Sequence, residues 1–581
     1  MKVRKMKQLR ILILALCVCL IAGVAETLNM VDAYGVDHSN HLICGDTNCM
    51  NAAHDMDEDA VAPVWTAWDG KSNINYGDDN TAYVYLNQNV ELTDELYLKN
   101  GKSLYLCLNG HSIVMNDDTC SRYWSDGVIN ISKNTTLVLC DCNGSREGKG
   151  IITHGKDTDN KPFQGIGVKV GEETVSAGTF IMYGGAISDN TASGGVILGG
   201  GVYLNGGIFE MRGGTISNNT VTGGEGGGVC IRKPKYNISS TFNMYGGTIC
   251  NNKLIDASNY GGGGVCVYDS GEFNMYNGII SDNNVINNDG GGVSVVAASF
   301  NMYGGTISGN TASKNGGGIA AYNDNFTLTG GEIKNNSANK GGGVYMYEGS
   351  SDYTITLSGN TSITGNTAAE QGGGVYYSEE PFDFSLSGNV NIKDNVKGGT
   401  ISNGTLTGGT PNNVYLSSGK TIRIAGALTG SPIGVTTADA PDENAFVRIA
   451  QADNAAWAVP GKFNYENDNT GIFRKTNGNT TYLVACKHNN NTTVWESDES
   501  GHWHKCNNCD TQNDKENHTG GTATCKEKAT CETCGTEYGE LDTNNHAGTE
   551  TEWTRTATTH KEIYKCCGAV KTAEANHSFG D

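Results

Sequence analysis

Cys506-x-x-Cys509 and Cys531-x-x-Cys534 are two thiol knuckles in the last hundred residues of the chain. Tetrahedral zinc is held by Cys and His side chains on tight turns of this kind, so these four thiols are predicted to share one ion. His518, Cys525 and His546, together with His504, are close enough in sequence to add ligands or to form a second site. Disulfides between the Cys-x-x-Cys arms are the competing chemistry in an exported protein. The spacing leaves both readings open.

The segment carrying these residues is duplicated. His488, Trp495 and His502 are spaced by seven, and His546, Trp553 and His560 repeat that spacing 58 residues later. Cys506-x-x-Cys509 then corresponds to Cys566-Cys567, and Asn517-His518 to Asn576-His577. The second copy lacks a Cys-x-x-Cys, which puts its own site in doubt. It also stops at Asp581, so the chain is expected to be cut within a repeat. Near the start, His41-x-x-Cys44-x4-Cys49-x4-His54 is a looser cluster, suited to a metal ion or to a Cys44–Cys49 disulfide. Of 19 Cys, 17 follow the leader described below, an odd number that cannot all pair.

What positions these clusters is a long repeat upstream of the tail. Copies begin at Phe180, Phe209, Phe242, Phe273, Phe300, Phe326, Ile355 and Phe384, with a period of 26 to 33 residues. A period of that size signals a solenoid. Each copy holds Phe-x-Met, then x-Ile-x-x-Asn, then Gly-Gly-Gly-Val-x-Val, as in Phe242–Met244, Thr306–Asn310 and Gly262–Val267. Alternation over a few residues bounded by Gly and Asn reads as strand, turn, strand. Three strands per copy make one coil of a right-handed parallel β-helix in an all-β chain. Eight coils at one strand spacing would span roughly 40 Å. Phe, Met, Ile and Val are predicted to stack inside. Asn190, Asn219, Asn252, Asn283, Asn310, Asn336, Asn366 and Asn395 are predicted to form a structural ladder whose Asn residues tolerate a left-handed turn. The Gly triplets are expected at positive φ. Cys230 and Cys266, in the same slot of consecutive coils, are expected to be free thiols on the outer face.

The tyrosine of Phe-x-Met-Tyr points away from such a core. Tyr183, Tyr245, Tyr276 and Tyr303 are therefore predicted to line up as a candidate ligand surface, with Tyr203, Tyr345 and Tyr376 as a second, broken stripe. Exposed rings can stack on sugars or serve a protein interface. They can also simply support one another along the ladder.

The boundaries follow. Residues 1–25 read as a secretion signal: Lys2, Arg4, Lys5, Lys7 and Arg10 precede an apolar run from Ile11 to Val24, too short for an ordinary membrane span. No later segment is long and apolar enough to span. Residues 26–79 form an N-terminal Cys/His segment, 80–435 the β-helix, 436–485 a cap or linker, and 486–581 the Cys/His modules. Net charge is −22, which disfavours nucleic acid and anionic membranes as partners. Gly accounts for 81 of 581 residues, but ordered into repeats it does not signal disorder.

The Ile-x-x-Asn-x-Ala…Gly-Gly-Gly-Val pattern of Ile307–Ile319 and Ile187–Val202 resembles the repeats of chlamydial polymorphic outer-membrane proteins. It is still more similar to pectin-lyase-fold repeat proteins exported by Firmicutes, whose tails carry modules like Gly501-His-Trp-His-Lys-Cys-Asn-Asn-Cys509. The resemblance covers roughly residues 170–400 and 486–581. It implies a pectin-lyase-like β-helix and a secreted or cell-surface adhesin, a rod binding host or environmental glycans or surface proteins. A second reading is a polysaccharide lyase or glycoside hydrolase on the same fold, since fold alone does not fix function. Between Phe180 and Thr400 the arginines are Arg212 and Arg232, few for a lyase. A third reading is a structural surface-layer component.

Overall fold

The computed structural model describes residues 63–578, apart from 100, 118–125, 143–148, 173–176, 195–198, 234–238, 258–260, 323–324, 348–353, 379–382, 442–445, 467–471, 486–490 and 508–511. The leader, the His41–His54 cluster, His488 and Cys509 lie outside the described residues. The chain divides into two units. One holds residues up to 440 with 448–468 and 476–481; the other holds 441–447, 469–475 and 482–581.

The first unit is a right-handed parallel β-solenoid of about 11 turns. The eight regular copies supply its middle. Less regular coils precede them, with strands at Thr81–Leu86, Ser103–Cys107 and Thr136–Cys140. Parallel pairing also continues past residue 435, since Ile422–Leu428 pairs with Val447–Ala452 and Ile433–Thr437 with Phe463–Tyr465.

Each regular coil has four strands, one more than the sequence pattern predicts. The first sheet carries Phe-x-Met in strict register: Phe180 opposite Phe209, then Phe242, Phe273, Phe300 and Phe326. These rings are fully buried and stack with centroids 4.6–4.9 Å apart from Phe180 to Phe300, widening to 5.6 Å at Phe326. The second sheet carries the Ile column, from Ile187 to Ile392, with every one buried. The fourth carries Val-x-Val. The unpredicted third sheet consists of short strands just after the ladder Asn, such as Thr191–Ser193 and Thr220–Thr222. Three residues with one buried side chain are too few to display an alternation.

That extra sheet creates a second, smaller core. Ala192, Val221, Leu254, Val285 and Ala312 face Tyr203, Cys230 and Cys266, all buried. Cys230 and Cys266 are thus not on the outer face, and Tyr203 belongs to no exposed stripe. The backs of their strands are covered by the third sheet.

The ladder forms in all eight predicted coils and gains a ninth member, Asn413. Each amide Nδ2 donates to the Oδ1 of the next coil's Asn at 2.8–3.0 Å. That same Oδ1 accepts the backbone N–H of the preceding ladder Asn, as Asn283 Oδ1 does from Asn252. The second Nδ2 hydrogen bonds an Ile carbonyl of the coil before, as Asn283 does to Ile249. From Asn190 to Asn395 the ladder residues have no solvent exposure, and their amide donors and acceptors are met.

The turn geometry differs from expectation. The left-handed residue is the one before the ladder Asn: Asp189, Asn218, Asn251, Asp282, Gly309 and Asn335. The first glycine of a triplet sits at positive φ in four coils, at Gly290, Gly316, Gly341 and Gly372, as expected, but the last two do not. They are needed for clearance. A Cβ on Gly228 would lie 2.6 Å from the Gly264 carbonyl oxygen and 2.9 Å from Asn252 Nδ2.

Asn283→Ala is expected to cost about 3 kcal/mol or more, because it strands two buried donors of Asn252 and the Ile249 carbonyl. Asn301→Ala removes one partly buried hydrogen bond, from Asn301 Nδ2 to Asn274 Oδ1, and should cost about 1 kcal/mol or less. Denaturant unfolding of the two variants checks the contrast; equal costs would contradict it.

Candidate metal centres and ligand face

The tail of the second unit is built from two small antiparallel sheets and a segment between them. The first sheet pairs Asn491–Asp498, Gly501–Cys506 and Gln512–Glu516. The second pairs Thr551–Arg555, Thr559–Tyr564 and Val570–Asn576. The connecting segment has one two-residue ladder, Ala529–Thr530 with Glu537–Tyr538. Gly535, at positive φ, turns the chain so that its N–H reaches the Cys531 carbonyl at 2.9 Å.

His502, His518, Cys531 and Cys534 converge, with ligand atoms all within 4.8 Å of one another. Cys531 Sγ lies 3.6 Å from His502 Nδ1, and Cys534 Sγ 3.4 Å from His518 Nδ1. The other nitrogen of His518, Nε2, donates to the Asp498 carbonyl at 2.6 Å, which leaves Nδ1 facing Cys534. Burial raises the Cys531 thiol, but the N–H of Cys534, the His518 ring and the N–H groups of Thr519 and Thr533 outweigh it and hold it at about 5. Cys525, His546, Cys566 and Cys567 form a second such group. The N–H of Ala547 draws the Cys525 thiol down, against burial and with help from His546, to about 6. Both groups have the donor set of a metal centre.

The predicted residues are therefore divided differently. Cys531 and Cys534 meet two histidines, while Cys506 is buried elsewhere, against Phe473. His504 stacks on Trp495 at 3.8 Å and joins neither group. His518 falls in the first group, Cys525 and His546 in the second. His502, Cys566 and Cys567 were not among the expected ligands. The duplication was the available signal, since His502 and His560 recur in both copies and Cys566-Cys567 fills the knuckle position. The second copy reproduces the histidine pair: His560 and His577 lie 5.3 Å apart, against 5.6 Å for His502 and His518. They line an open cavity of about 560 Å³ with Trp553 and Arg555.

In the solenoid, Glu225 closes on Cys230 and Cys266. Its Oε2 is buried with no hydrogen-bond partner, and burial pushes the carboxyl up despite Arg232. Farther forward, Cys107 Sγ lies 2.9 Å from Cys142 Sγ beside buried Cys140 and Trp65.

The tyrosine row is exposed at Tyr245, Tyr276 and Tyr303, by 39, 42 and 48%. Their rings stack on one another at 4.9 and 5.0 Å, nearly parallel. The faces are thus spent on neighbouring coils, and edges with hydroxyls meet solvent. Tyr183 is half-buried against the Cys107–Cys140 group. Arg212 fills the coil between, its guanidinium 4.9 Å from the Tyr245 ring and 5.8 Å from that of Tyr183, and paired to Glu210 at 2.7 Å. Arg232 is paired to Asp269 at 3.0 Å. Among the described residues no helix is long and apolar enough to cross a membrane.

No family model matches the chain, and no match was found among curated proteins or solved structures.

Glu225→Gln is expected to stabilise the protein at neutral pH. A carboxyl raised by folding favours the native state below its unfolded value and loses that contribution as pH rises through its folded value. The gain should therefore shrink to nothing below about pH 4. Melting temperatures of both proteins across pH 4–8 check this; a gain independent of pH would contradict it.

Proposed function

We propose that the chain is an exported, cell-surface β-helix rod that binds an extended glycan along its tyrosine row. The observation that carries this is the exposure of Tyr245, Tyr276 and Tyr303 in a column whose Phe positions are wholly buried. The row offers one phenol edge per coil, a comb of hydroxyls repeating at about 4.8 Å. A polymer of sugar rings running along the column advances by a comparable length per ring and presents hydroxyls at each step. Stacking of sugars on open ring faces is not the mode this geometry favours. The basic leader and apolar run support export, and the charge of −22 suits an uncharged polysaccharide better than an acidic one.

Zinc is the ion assigned to the tail. Thiolate and imidazole in sets of four suit tetrahedral zinc over the hard, oxygen-seeking cations. Four side-chain donors in each group match the full set of a tetrahedral ion, which suits a structural role.

Purified protein passed over host and plant polysaccharides is expected to be retained without releasing new reducing or unsaturated ends. New ends would instead favour the lyase or hydrolase reading, and tail-dependent self-association without retention the surface-layer reading. Replacing Tyr245, Tyr276 and Tyr303 together with Phe keeps the stack and removes the hydroxyls. Affinity should fall about tenfold or more, ~1.4 kcal/mol, with the melting temperature unchanged.

A further inference from the structure

We infer that residues 519–547 are a clasp shared by two zinc sites, which join it to the sheet on either side. The first site is His502, His518, Cys531 and Cys534; the second is Cys525, His546, Cys566 and Cys567. The inference rests on the zinc reading above and adds the partition of ligands and its consequence for the tail.

The distances fit the ion. With Zn–S near 2.3 Å and Zn–N near 2.0 Å, the edges of a tetrahedron are about 3.5 Å for S···N and about 3.8 Å for S···S. The thiol–imidazole separations are 3.6, 3.4 and 3.4 Å. Cys566 and Cys567 are 3.8 Å apart, and Cys525 and Cys566 3.3 Å. A disulfide needs about 2.05 Å. No disulfide could account for the thiols facing His502, His518 and His546.

Each site draws two ligands from the clasp and two from a sheet. His502 lies on the strand Gly501–Cys506, and His518 just follows Gln512–Glu516. Cys566 and Cys567 sit on the turn after Thr559–Tyr564, where the N–H of Gly568 returns to the Tyr564 carbonyl at 2.8 Å. Within the clasp, the N–H of Cys525 bonds the Asn545 carbonyl at 2.8 Å, which brings Cys525 and His546 together at its base. The clasp itself buries Ala529 and Cys531 and little else. A segment this poor in apolar burial takes its order from the ions.

The two sites differ in access. At the first, three ligands are buried and Cys534 is half-buried; at the second, three are half-buried and Cys567 is exposed. A chelator therefore empties the second site first and releases the sheet of residues 551–576 while the sheet of residues 491–516 stays held.

The test uses the full-length chain. Elemental analysis should find at least two zinc ions per chain, two of which are lost when C531S/C534S and C566S/C567S are combined. In the wild type, Cys525, Cys531, Cys534, Cys566 and Cys567 should resist alkylation until chelator is added, with Cys566 and Cys567 becoming reactive before Cys531 and Cys534. Limited proteolysis after loss of the first ion should cut within 548–578 only. C566S/C567S should lose one ion and keep the other; C531S/C534S should do the same for the other site; C506S should lose none. Absence of zinc from the wild type would overturn the zinc reading and the clasp together. Two ions lost together, or an ion lost from C506S, would overturn the clasp and leave the zinc reading standing.

Discussion

One buried carboxamide per coil sets the terms for the rest of the solenoid. A ladder amide has to reach the next coil's oxygen, an Ile carbonyl behind it and a backbone N–H, all inside a dry turn. Leaving any of these unmet would cost more than a single hydrophobic contact returns. The backbone must therefore come close, which excludes a Cβ at Gly201, Gly228 and Gly264. The residue before the amide must turn left-handed, which selects Asp, Asn or Gly there. The period of the repeat is the spacing at which these demands recur. The repeat can vary from 26 to 33 residues because the excess is taken up in the loops between strands.

The solenoid was legible because its determinants are local and repeated eight times. Phe-x-Met, Ile and the ladder Asn each face inward at a fixed step, so their stacking could be read from spacing. The short third sheet escaped because Thr191–Ser193 and its counterparts have no room for a pattern. Missing it misplaced Tyr203, Cys230 and Cys266, whose burial depends on what covers them. The glycine triplets combine two demands, positive φ at the first position in four coils and close approach at the last two, and both leave the same mark on a sequence. The ladder's ends were not legible. His154 Nδ1 sits 2.9 Å from Asn190 Oδ1 at one end, and Glu466 receives Asn413 at the other. Neither residue lies in a repeat.

Among its described residues the tail has no comparable run of buried side chains. From residue 491 onward the buried side chains among the described residues are His502, Trp503, Cys506, His518, Ala529 and Cys531. That is too little apolar burial to order three pieces of chain, and small domains of this kind rely on cross-links. The residue types of the two Cys/His groups were plain in the sequence. Their grouping was not, because Cys-x-x-Cys invites pairing with its own kind. The structure instead brings together residues from separate segments, as with His502 and Cys531, and spacing carries no record of that fold.

The amides of the ladder all point one way. From Asn190 to Asn395 every Nδ2 donates toward the C-terminal neighbour, so their dipoles add head to tail along the axis, as peptide units do in a helix. The C-terminal end of this line is its positive pole. A carboxyl, Glu466, stands there and takes both the N–H and the Nδ2 of Asn413. At the opposite pole an oxygen, Asn190 Oδ1, faces an imidazole. The solenoid is thus a polarised filament with unlike terminations. Whole coils can be added or deleted in its interior without disturbing either pole, whereas an inverted coil would set donor against donor.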